Sequence, residues 1–324
     1  MYAQGTYDLD PWISGLKFTA GARYTWDDRF AQSRSLPLGA CAAPPPGADA
    51  QCTLTSSGSF KAPTWTVGLD YQATLDTLVY LTSRRGYRTG GFNASAQLPQ
   101  NKKFDPEYVT DVELGVKHDG EIAGRGIRTN VAVFHDKYKN IQTNQTVTED
   151  VIPITVVKNA AAARIVGAEV EATLEATENL RLGAMFSWID FKYTSSITGA
   201  DLFHQPNVPK YKYGVNARYR LPVASALGGM NVSANWSWQD DVFITTAVDP
   251  LAVQRAYGLL TLGANWDRIA GSPVDASLFM TNATDKTYAT GSFSLYDCCG
   301  FSGLTYGEPR MYGVRVRYRF GQDE

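Results

Sequence analysis

Residues 312–320 have the sequence Tyr-Gly-Val-Arg-Val-Arg-Tyr-Arg-Phe, and this stretch decides the fold. Every second residue is apolar or aromatic, whereas the positions between them hold glycine or one of three arginines, Arg315, Arg317 and Arg319. A β-strand points successive side chains to opposite faces of its sheet. The stretch is therefore predicted to be a strand with one apolar face and one strongly charged face.

The same period of two recurs along the whole chain. It is strict in three other segments, 16–28, 211–221 and 230–240, and weaker in 2–8, 62–73, 77–88, 106–118, 126–138, 163–176, 180–192, 256–267 and 273–281. Together with 310–320, these segments predict about thirteen strands of about 8–14 residues each, longer than the 5–6 residues of an average strand. A tilted strand that crosses a bilayer needs about 9–11 residues. Length and alternation therefore favour a transmembrane β-barrel over a soluble β-sandwich, in which a charged face of this width would lie open to water.

The connections between these segments alternate between short and long. Outer-membrane barrels have short periplasmic turns and long extracellular loops, so the alternation assigns a side of the membrane to each connection. Long connections are expected at 29–59, 89–105, 139–162, 194–210, 243–255 and 282–309, on the extracellular side. The last strand then runs down toward the periplasm.

Composition excludes several other classes of protein. The chain of 324 residues has 30 basic and 32 acidic side chains, and this near-neutral balance argues against a nucleic-acid-binding protein. No run of 18 apolar residues occurs, so transmembrane helices are not expected. The three histidines are scattered and the four cysteines lack a CxxC spacing, so neither a zinc site nor a catalytic site is predicted, and no cofactor is expected.

Several short motifs, in order along the chain, resemble those of TonB-dependent outer-membrane receptors. Each motif is weak alone, but their order and spacing cover nearly the whole sequence. They are Ser83-Arg84-Arg85-Gly86-Tyr87-Arg88-Thr89-Gly90-Gly91-Phe92-Asn93, Pro106-Glu107 with Glu113-Leu114-Gly115-Val116-Lys117, Asn159-Ala160 with Arg164 and Gly167-Ala168-Glu169-Val170-Glu171, Pro206-Asn207-Val208-Pro209, Asn282-Ala283-Thr284-Asp285-Lys286-Thr287-Tyr288, and Gly307-Glu308-Pro309-Arg310-Met311-Tyr312-Gly313.

The resemblance implies an all-β fold, an antiparallel transmembrane β-barrel of the Gram-negative outer membrane. It covers only the C-terminal part of such a receptor, so residues 1–324 are expected to form an incomplete barrel of about 12–13 of about 22 strands. The plug domain and the TonB box are expected to be absent from this chain. An odd number of strands predicts an open sheet, with residues 1–8 and 310–320 at opposite edges.

The function that the resemblance implies is TonB-energised uptake of a scarce ligand, with an iron–siderophore complex as the first expectation. Vitamin B12, haem, a saccharide or another metal are alternative substrates, and a passive porin or a barrel enzyme are alternative functions. The expected partners are outer-membrane lipid, the ferric siderophore, the TonB complex through the missing N-terminal part, and the barrel-assembly machinery through the terminal aromatic Phe320. Four residues follow Phe320, whereas the family usually ends on the aromatic.

Aromatic and arginine side chains on the long loops are the candidates for binding a planar, anionic chelate. The alternative is that the loop aromatics only pack the loops together. The candidates are Tyr87, Arg88, Phe92, Asn93, Phe203, His204, Phe293, Tyr296, Phe301 and Tyr306. Arg315, Arg317 and Arg319 lie toward the periplasmic end and are expected to face the plug, with a cross-strand ion-pair network as the alternative.

Two of the cysteines are expected to form a disulfide. Cys41 and Cys52 flank a proline-rich tip inside one long loop, and an exposed loop in an oxidising compartment favours a disulfide. Cys298 and Cys299 are adjacent, and the sequence leaves open whether they form a strained disulfide, a reactive pair or a metal contact.

Overall fold

The computed structural model describes residues 1–34, 41, 44, 47–94, 96–149, 152–196, 205–245 and 249–321. Thirteen strands form one antiparallel sheet, and six shorter strands form three separate two-stranded sheets on the connections. The thirteen strands are Tyr2–Asp8 (β1), Leu16–Arg34 (β2), Thr53–Thr74 (β3), Thr77–Arg88 (β4), Glu107–Ile122 (β7), Arg125–Glu149 (β8), Ile152–Glu175 (β9), Leu180–Ser196 (β10), Tyr211–Arg220 (β11), Gly229–Gln239 (β12), Tyr257–Asp267 (β15), Val274–Thr281 (β16) and Met311–Tyr318 (β19).

The remaining elements all lie on connections. The short strands are Gly91–Phe92 (β5), Lys103–Phe104 (β6), Val242–Phe243 (β13), Val253–Gln254 (β14), Ala289–Leu295 (β17) and Phe301–Tyr306 (β18). Two single-turn helices are Pro99–Lys102 (α1) and Tyr296–Cys299 (α2), and two 3-10 turns are Ser225–Leu227 and Ile269–Gly271. No helix in the described part of the chain is long and apolar enough to cross a membrane.

Each strand of the main sheet pairs with the next one along the chain, and the sheet is open between β1 and β19. The predicted number of strands, the antiparallel order and the two edges are therefore confirmed. A two-residue hairpin joins β7 to β8, where Ile122 pairs with Arg125 around Ala123 and Gly124. Both central residues have positive φ, 53° and 72°, which is the geometry of a type I′ turn and matches the twist of the flanking strands.

The register separates two faces, because directly paired residues lie on the same side of a sheet. One row runs Leu69, Leu81, Leu114, Val133, Ala168, and we call its side the apolar face. The adjacent row runs Asp70, Tyr80, Gly115, Ala132, Glu169, and its side is the polar face. The alternation predicted from the sequence is thus the alternation of the structure.

The upper parts of two strand pairs depart from the sequence-based expectation. Residues 139–162 were predicted to be a long loop, but β8 and β9 remain paired as far as Glu149 with Ile152. Pairing likewise continues between β2 and β3 up to Arg34 with Thr53. The prediction was wrong because polar residues fall on both faces in the upper part of β8, as at residues 142–145, and the period of two is lost there, whereas backbone pairing needs no such alternation.

Buried apolar side chains are concentrated at the loop end of the sheet. Phe60, Ala62, Ala96, Ile141 and Val156 are each at most 4% exposed. In the middle of the sheet, by contrast, the apolar residues remain about half exposed, as Val112 (48%) and Val133 (47%) show. The compact core of the described chain therefore lies where the long connections fold onto one another.

Candidate ligand-binding site

The connection between β4 and β7, residues 89–106, folds back on itself and carries two of the candidate residues. Its short strands β5 and β6 pair Gly91 with Phe104 and Phe92 with Lys103. A Cβ atom at Gly90 would lie 2.4 Å from the ring of Phe60 and 2.5 Å from the backbone oxygen of Phe104. Only glycine fits there, which explains the Gly90-Gly91 pair as a packing requirement of this connection.

Asn93 fastens this connection to β9. Its side-chain nitrogen donates to the backbone oxygens of Val157 (2.8 Å) and Asn101 (2.7 Å), and its side-chain oxygen accepts from the backbone nitrogen of Val157 (2.8 Å). Asn159 makes a second link, since its amide exchanges hydrogen bonds with the backbone of Asp105 at 2.6 and 2.7 Å. Both asparagines therefore hold backbone, and the amide of Asn93 is committed to that role.

The Glu149 carboxylate makes a third link to the same connection, at the far end of β8. It accepts from the backbone nitrogens of Gln97 (2.6 Å) and Leu98 (3.2 Å) and from the side-chain nitrogen of Asn101 (2.6 Å). Glu149 is 5% exposed. It lies twelve residues along β8 from Lys137, which marks the edge of the apolar face, and this separation corresponds to about 40 Å. Burial raises the pKa of this carboxyl, but the hydrogen bonds outweigh it and hold the pKa below its ordinary value.

The remaining two candidates near this connection make contacts of a different kind. Tyr87 packs its ring 5.8 Å from that of Tyr108 and donates its hydroxyl to Asp27 at 2.6 Å. Arg88 pairs loosely with Glu107, at 3.4 Å, and its side chain is 69% exposed. Arg88 is thus the cation of this group whose charge remains accessible from the polar face.

Phe92 and its neighbours form a small aromatic layer under the connection. The rings of Phe92 and Phe60 lie 6.0 Å apart, and the ammonium group of Lys103 lies 5.3 Å from the Phe60 ring. Phe92 is half-buried in this layer. Its contacts match the alternative in which loop aromatics pack the loops.

A second group of candidates lies on the hairpin formed by β17 and β18. Phe293 (67% exposed), Phe301 (52%) and Tyr306 (60%) present large rings to the outside, and Tyr296 in α2 is 39% exposed. The pairing of Phe293 with Gly303 and of Leu295 with Phe301 places Phe293 and Phe301 on one face of the hairpin. Gln254 accepts from the backbone nitrogen of Ala289, and Ser302 donates to Asp249, so the hairpin is fastened to its neighbouring connection.

The candidates thus fall into two groups that lie on different connections of the sheet. Tyr87 and Arg88 end β4, Phe92 and Asn93 lie on the connection that follows it, and the four hairpin residues belong to the connection after β16. Phe203 and His204 lie outside the described residues. The sequence did not single out Glu149, Asn101 or Asn159 as candidates; the Asn159-Ala160 motif was the one available signal.

The polar face carries an ion network that the sequence anticipated only in part. Arg84 donates to Asp111 at 2.7 Å and to Glu113 at 2.9 Å, and Tyr80 donates to the same Glu113 at 2.8 Å. Arg319, at the opposite end of the sheet, binds Asp275 at 2.8 and 2.9 Å. Arg315 and Arg317 are exposed on the polar face, opposite Ser277 and Asp275. Among the described residues, Arg319 is thus the one terminal arginine held by an ion pair.

Cys41 and Cys52 are joined by a disulfide with their Cα atoms 5.6 Å apart. Cys52 is 2% exposed and lies at the end of a turn in which Asp49 accepts from the backbone nitrogens of Thr53 and Gln51. These hydrogen bonds, that of Thr53 foremost, lower the pKa of the Asp49 carboxyl. Cys299 also belongs to a disulfide.

The Cys41–Cys52 bridge is expected to order its own segment and little else. In the Cys41→Ser variant, proteolytic cleavage between residues 41 and 52 should become at least several-fold faster, while the thermal stability of the sheet stays within a few degrees. The released Cys52 thiol should alkylate slowly until the protein is unfolded, because it is buried. Rapid alkylation of both thiols in the unreduced wild-type protein would contradict the bridge.

Metal-binding clusters are not found in the part of the chain that the structure describes, where no three His, Cys, Asp or Glu side chains come close enough to hold an ion.

The fold and the two faces define the wall of an outer-membrane β-barrel. Residues 1–283 match the family model of the TonB dependent receptor-like β-barrel, and the chain belongs to this family. Its members are outer-membrane receptors and transporters of Gram-negative bacteria.

Three relatives illustrate the match. The metal-pseudopaline receptor CntO of Pseudomonas aeruginosa is 30% identical over 167 residues, which cover 52% of this chain and 22% of CntO. The ferric yersiniabactin uptake receptor FyuA of Yersinia pestis superposes with a TM-score of 0.79 at 19% identity, over 99% of this chain and 45% of FyuA. The copper transporter OprC superposes with a TM-score of 0.71 at 16% identity, over 98% of this chain and 47% of OprC. The chain therefore spans less than half the length of each of these relatives.

Proposed function

We propose that this chain forms the C-terminal wall of a TonB-energised outer-membrane receptor that takes up a metal ion bound to an organic chelator. An iron–siderophore complex is the first expectation. The names of the three relatives support a metal cargo, since they name a ferric complex, a metal–pseudopaline complex and copper. The TonB contact and the plug would be supplied by parts of the receptor that residues 1–324 do not contain.

The open sheet supports this division of the receptor. The outer edges of β1 and β19 leave backbone N–H and C=O groups unpaired, and each unpaired group costs several kcal/mol in hydrocarbon. In a working barrel these edges must pair with further strands, and the length of FyuA outside the match is sufficient to supply them.

The observation that carries the proposal is the exposed aromatic surface of the β17–β18 hairpin. Large rings at 67% and 52% exposure, Phe293 and Phe301, lie on one face of a hairpin on the loop side of the sheet. Such rings gain free energy when they cover the apolar faces of an aromatic chelate. Arg88, with its exposed charge, supplies a cation for the negative charge of the complex.

Uptake of radiolabelled iron by a receptor-deficient strain tests the proposal. The strain carries the complete protein, and a panel of ferric siderophores is offered together with nickel, zinc, cobalt and copper chelates. The double variant Phe293→Ala/Phe301→Ala should lower uptake about tenfold or more. The matched control is Leu304→Ala, which removes a 36% exposed side chain from the other face of the same hairpin and should leave uptake unchanged.

Deletion of TonB separates this proposal from passive diffusion. Receptor-dependent uptake should disappear in the TonB-deficient strain. Uptake that persists there would identify passive diffusion through a porin. An equal change of uptake in the Phe293→Ala/Phe301→Ala and Leu304→Ala variants would show that the aromatic face is not part of the ligand-binding site.

A further inference from the structure

Four basic residues lie in one row of cross-strand neighbours on the apolar face. The row runs from Trp65 through Arg85, Thr110, Lys137, Arg164 and Lys192, each residue paired directly with the next. We call Arg85, Lys137, Arg164 and Lys192 the basic row. They occupy the same side of the sheet as the exposed aliphatic residues of the apolar face, at the border nearest the long connections.

An intermediate row of mixed character, Val67, Ser83, Val112, His135, Val166 and Asp190, lies directly below the basic row on the apolar face. Four residues further toward the periplasmic turns, the corresponding row is Leu69, Leu81, Leu114, Val133, Ala168 and Trp188, with no charge in it. A tryptophan and a tyrosine at the border, Trp65 and Tyr108, flank the row, and such side chains favour the headgroup level of a bilayer. The basic row is therefore placed where lipid headgroups begin, on the loop side of the membrane.

Like charges that face each other across strands destabilise a sheet, and here they are incompletely neutralised. Lys137, Arg164 and Lys192 are consecutive neighbours, with Cα atoms about 5 Å apart. Asp190 pairs with Arg164 at 3.4 Å and with Lys192 at 3.2 Å. Lys137 is exposed and makes no ion pair within the described residues. With one carboxylate against four cations, the row keeps an excess positive charge of three in a chain whose net charge is −2.

Arg85 is held in place by its neighbours at one end of the row. Its guanidinium carbon lies 4.4 Å from the ring centre of Tyr108 and 5.1 Å from that of Trp65. Its Nε atom is buried and has no hydrogen-bond partner among the described residues. A planar cation fixed between two rings presents its outer N–H groups in a defined direction, which suits two-point binding of a phosphate.

We propose that the basic row binds the headgroup of a bisphosphorylated glycolipid in the outward-facing leaflet. Two strand spacings, about 10 Å, separate Arg85 from Lys137. The positive charge is therefore divided between Arg85 at one end of the row and the three consecutive residues at the other. That division fits two phosphates carried on opposite ends of one sugar headgroup. The acyl chains of the same lipid then lie against the apolar zone. This inference does not depend on the proposed transport function.

Binding of purified bisphosphorylated lipid A tests the proposal. The complete protein is purified from outer membranes, stripped of lipid in a neutral detergent, and titrated with the lipid in mixed micelles. The triple variant Lys137→Gln/Arg164→Gln/Lys192→Gln should bind at least tenfold more weakly than wild type, and the weakening should shrink at high salt. Removing the phosphates from the lipid should lower wild-type affinity by a similar factor.

The matched control removes the same number of charges from the polar face, in the variant Lys17→Gln/Lys212→Gln/Arg218→Gln, and should retain wild-type affinity. The single variant Lys137→Gln has no ion pair to lose and keeps the test independent of folding; it should weaken binding several-fold, whereas Lys137→Arg should not. Equal affinity of wild type and the basic-row triple variant would overturn the proposal. So would equal binding of monophosphorylated phosphatidylglycerol, because the row would then be a general anionic surface.

Discussion

The Val215→Arg variant is expected to fail to assemble in the outer membrane. Val215 is 50% exposed on the apolar face of β11, between Tyr213 and Tyr219, and its cross-strand neighbours are Ala184 and Trp236. An arginine near the midplane of a barrel wall costs about 2–4 kcal/mol, because its charge leaves water without gaining a partner. That cost lowers the folding equilibrium in lipid vesicles by roughly 30- to 1,000-fold.

The adjacent residue provides the matched control. Asn216 lies on the polar face of the same strand, between Gly183 and Asn235, where small and polar neighbours leave room for a longer side chain. Asn216→Arg therefore introduces the same group one residue away with its charge in water, and should assemble close to the wild-type level. Heat-dependent mobility in gels and urea titrations in vesicles measure both variants. If Asn216→Arg were the more damaging of the two, the faces assigned here would be reversed.

The two faces could be predicted from the sequence because the membrane imposes them on every spanning strand. At Val316 and Arg317 one residue must face hydrocarbon and the next must not, so the period of two is strict. Above the membrane this constraint ends. The strands β8 and β9 continue for about ten residues there through sequences such as Gln142-Thr143-Asn144, in which polar residues fall on both faces, and the sequence offers no period to follow.

The site was less predictable because its residues are joined across long separations. Asn93 contacts Val157, 64 positions away, and Glu149 contacts Asn101, 48 positions away. The motif that contains Asn93 indicates that this residue is important. It does not distinguish a side chain that hydrogen-bonds to the backbone from one that binds a ligand. The hairpin aromatics Phe293 and Phe301 could be selected as candidates from the sequence, because they lie on a long connection outside the alternating segments, and the structure leaves both rings exposed.

Removal of the Glu149 carboxylate is expected to release the connection between β4 and β7. In Glu149→Ala, the backbone N–H groups of Gln97 and Leu98 and the side-chain amide of Asn101 lose their common acceptor. Hydrogen bonds to a charged group contribute about 1.5–3 kcal/mol each, and the partly buried donors cannot all find water. A loss of about 3 kcal/mol in local stability makes amide exchange at Gln97 and Leu98 roughly 100-fold faster.

Two further variants show whether the effect belongs to this carboxylate. Glu149→Gln keeps one acceptor oxygen, so its amide exchange should fall between those of wild type and Glu149→Ala. Glu175→Ala removes a 53% exposed carboxylate, paired with Arg181 at the opposite end of β9, and should leave exchange at Gln97 unchanged. Unaltered exchange in Glu149→Ala would show that Asn93 and Asn159 hold the connection without Glu149.

Acidification should reproduce the effect of the alanine variant without any mutation. The pKa of Glu149 is lower in the folded protein than the ordinary value of 4.5, so the carboxylate contributes stability that is complete above the unfolded-state pKa. That contribution is lost as the pH falls through the lower, folded-state pKa. Amide exchange in residues 97–101, corrected for the intrinsic pH dependence, should therefore rise below about pH 4.5 in wild type and stay flat in Glu149→Gln. Because this connection follows directly on Arg88, its release should also weaken binding of an anionic ligand that Arg88 contacts.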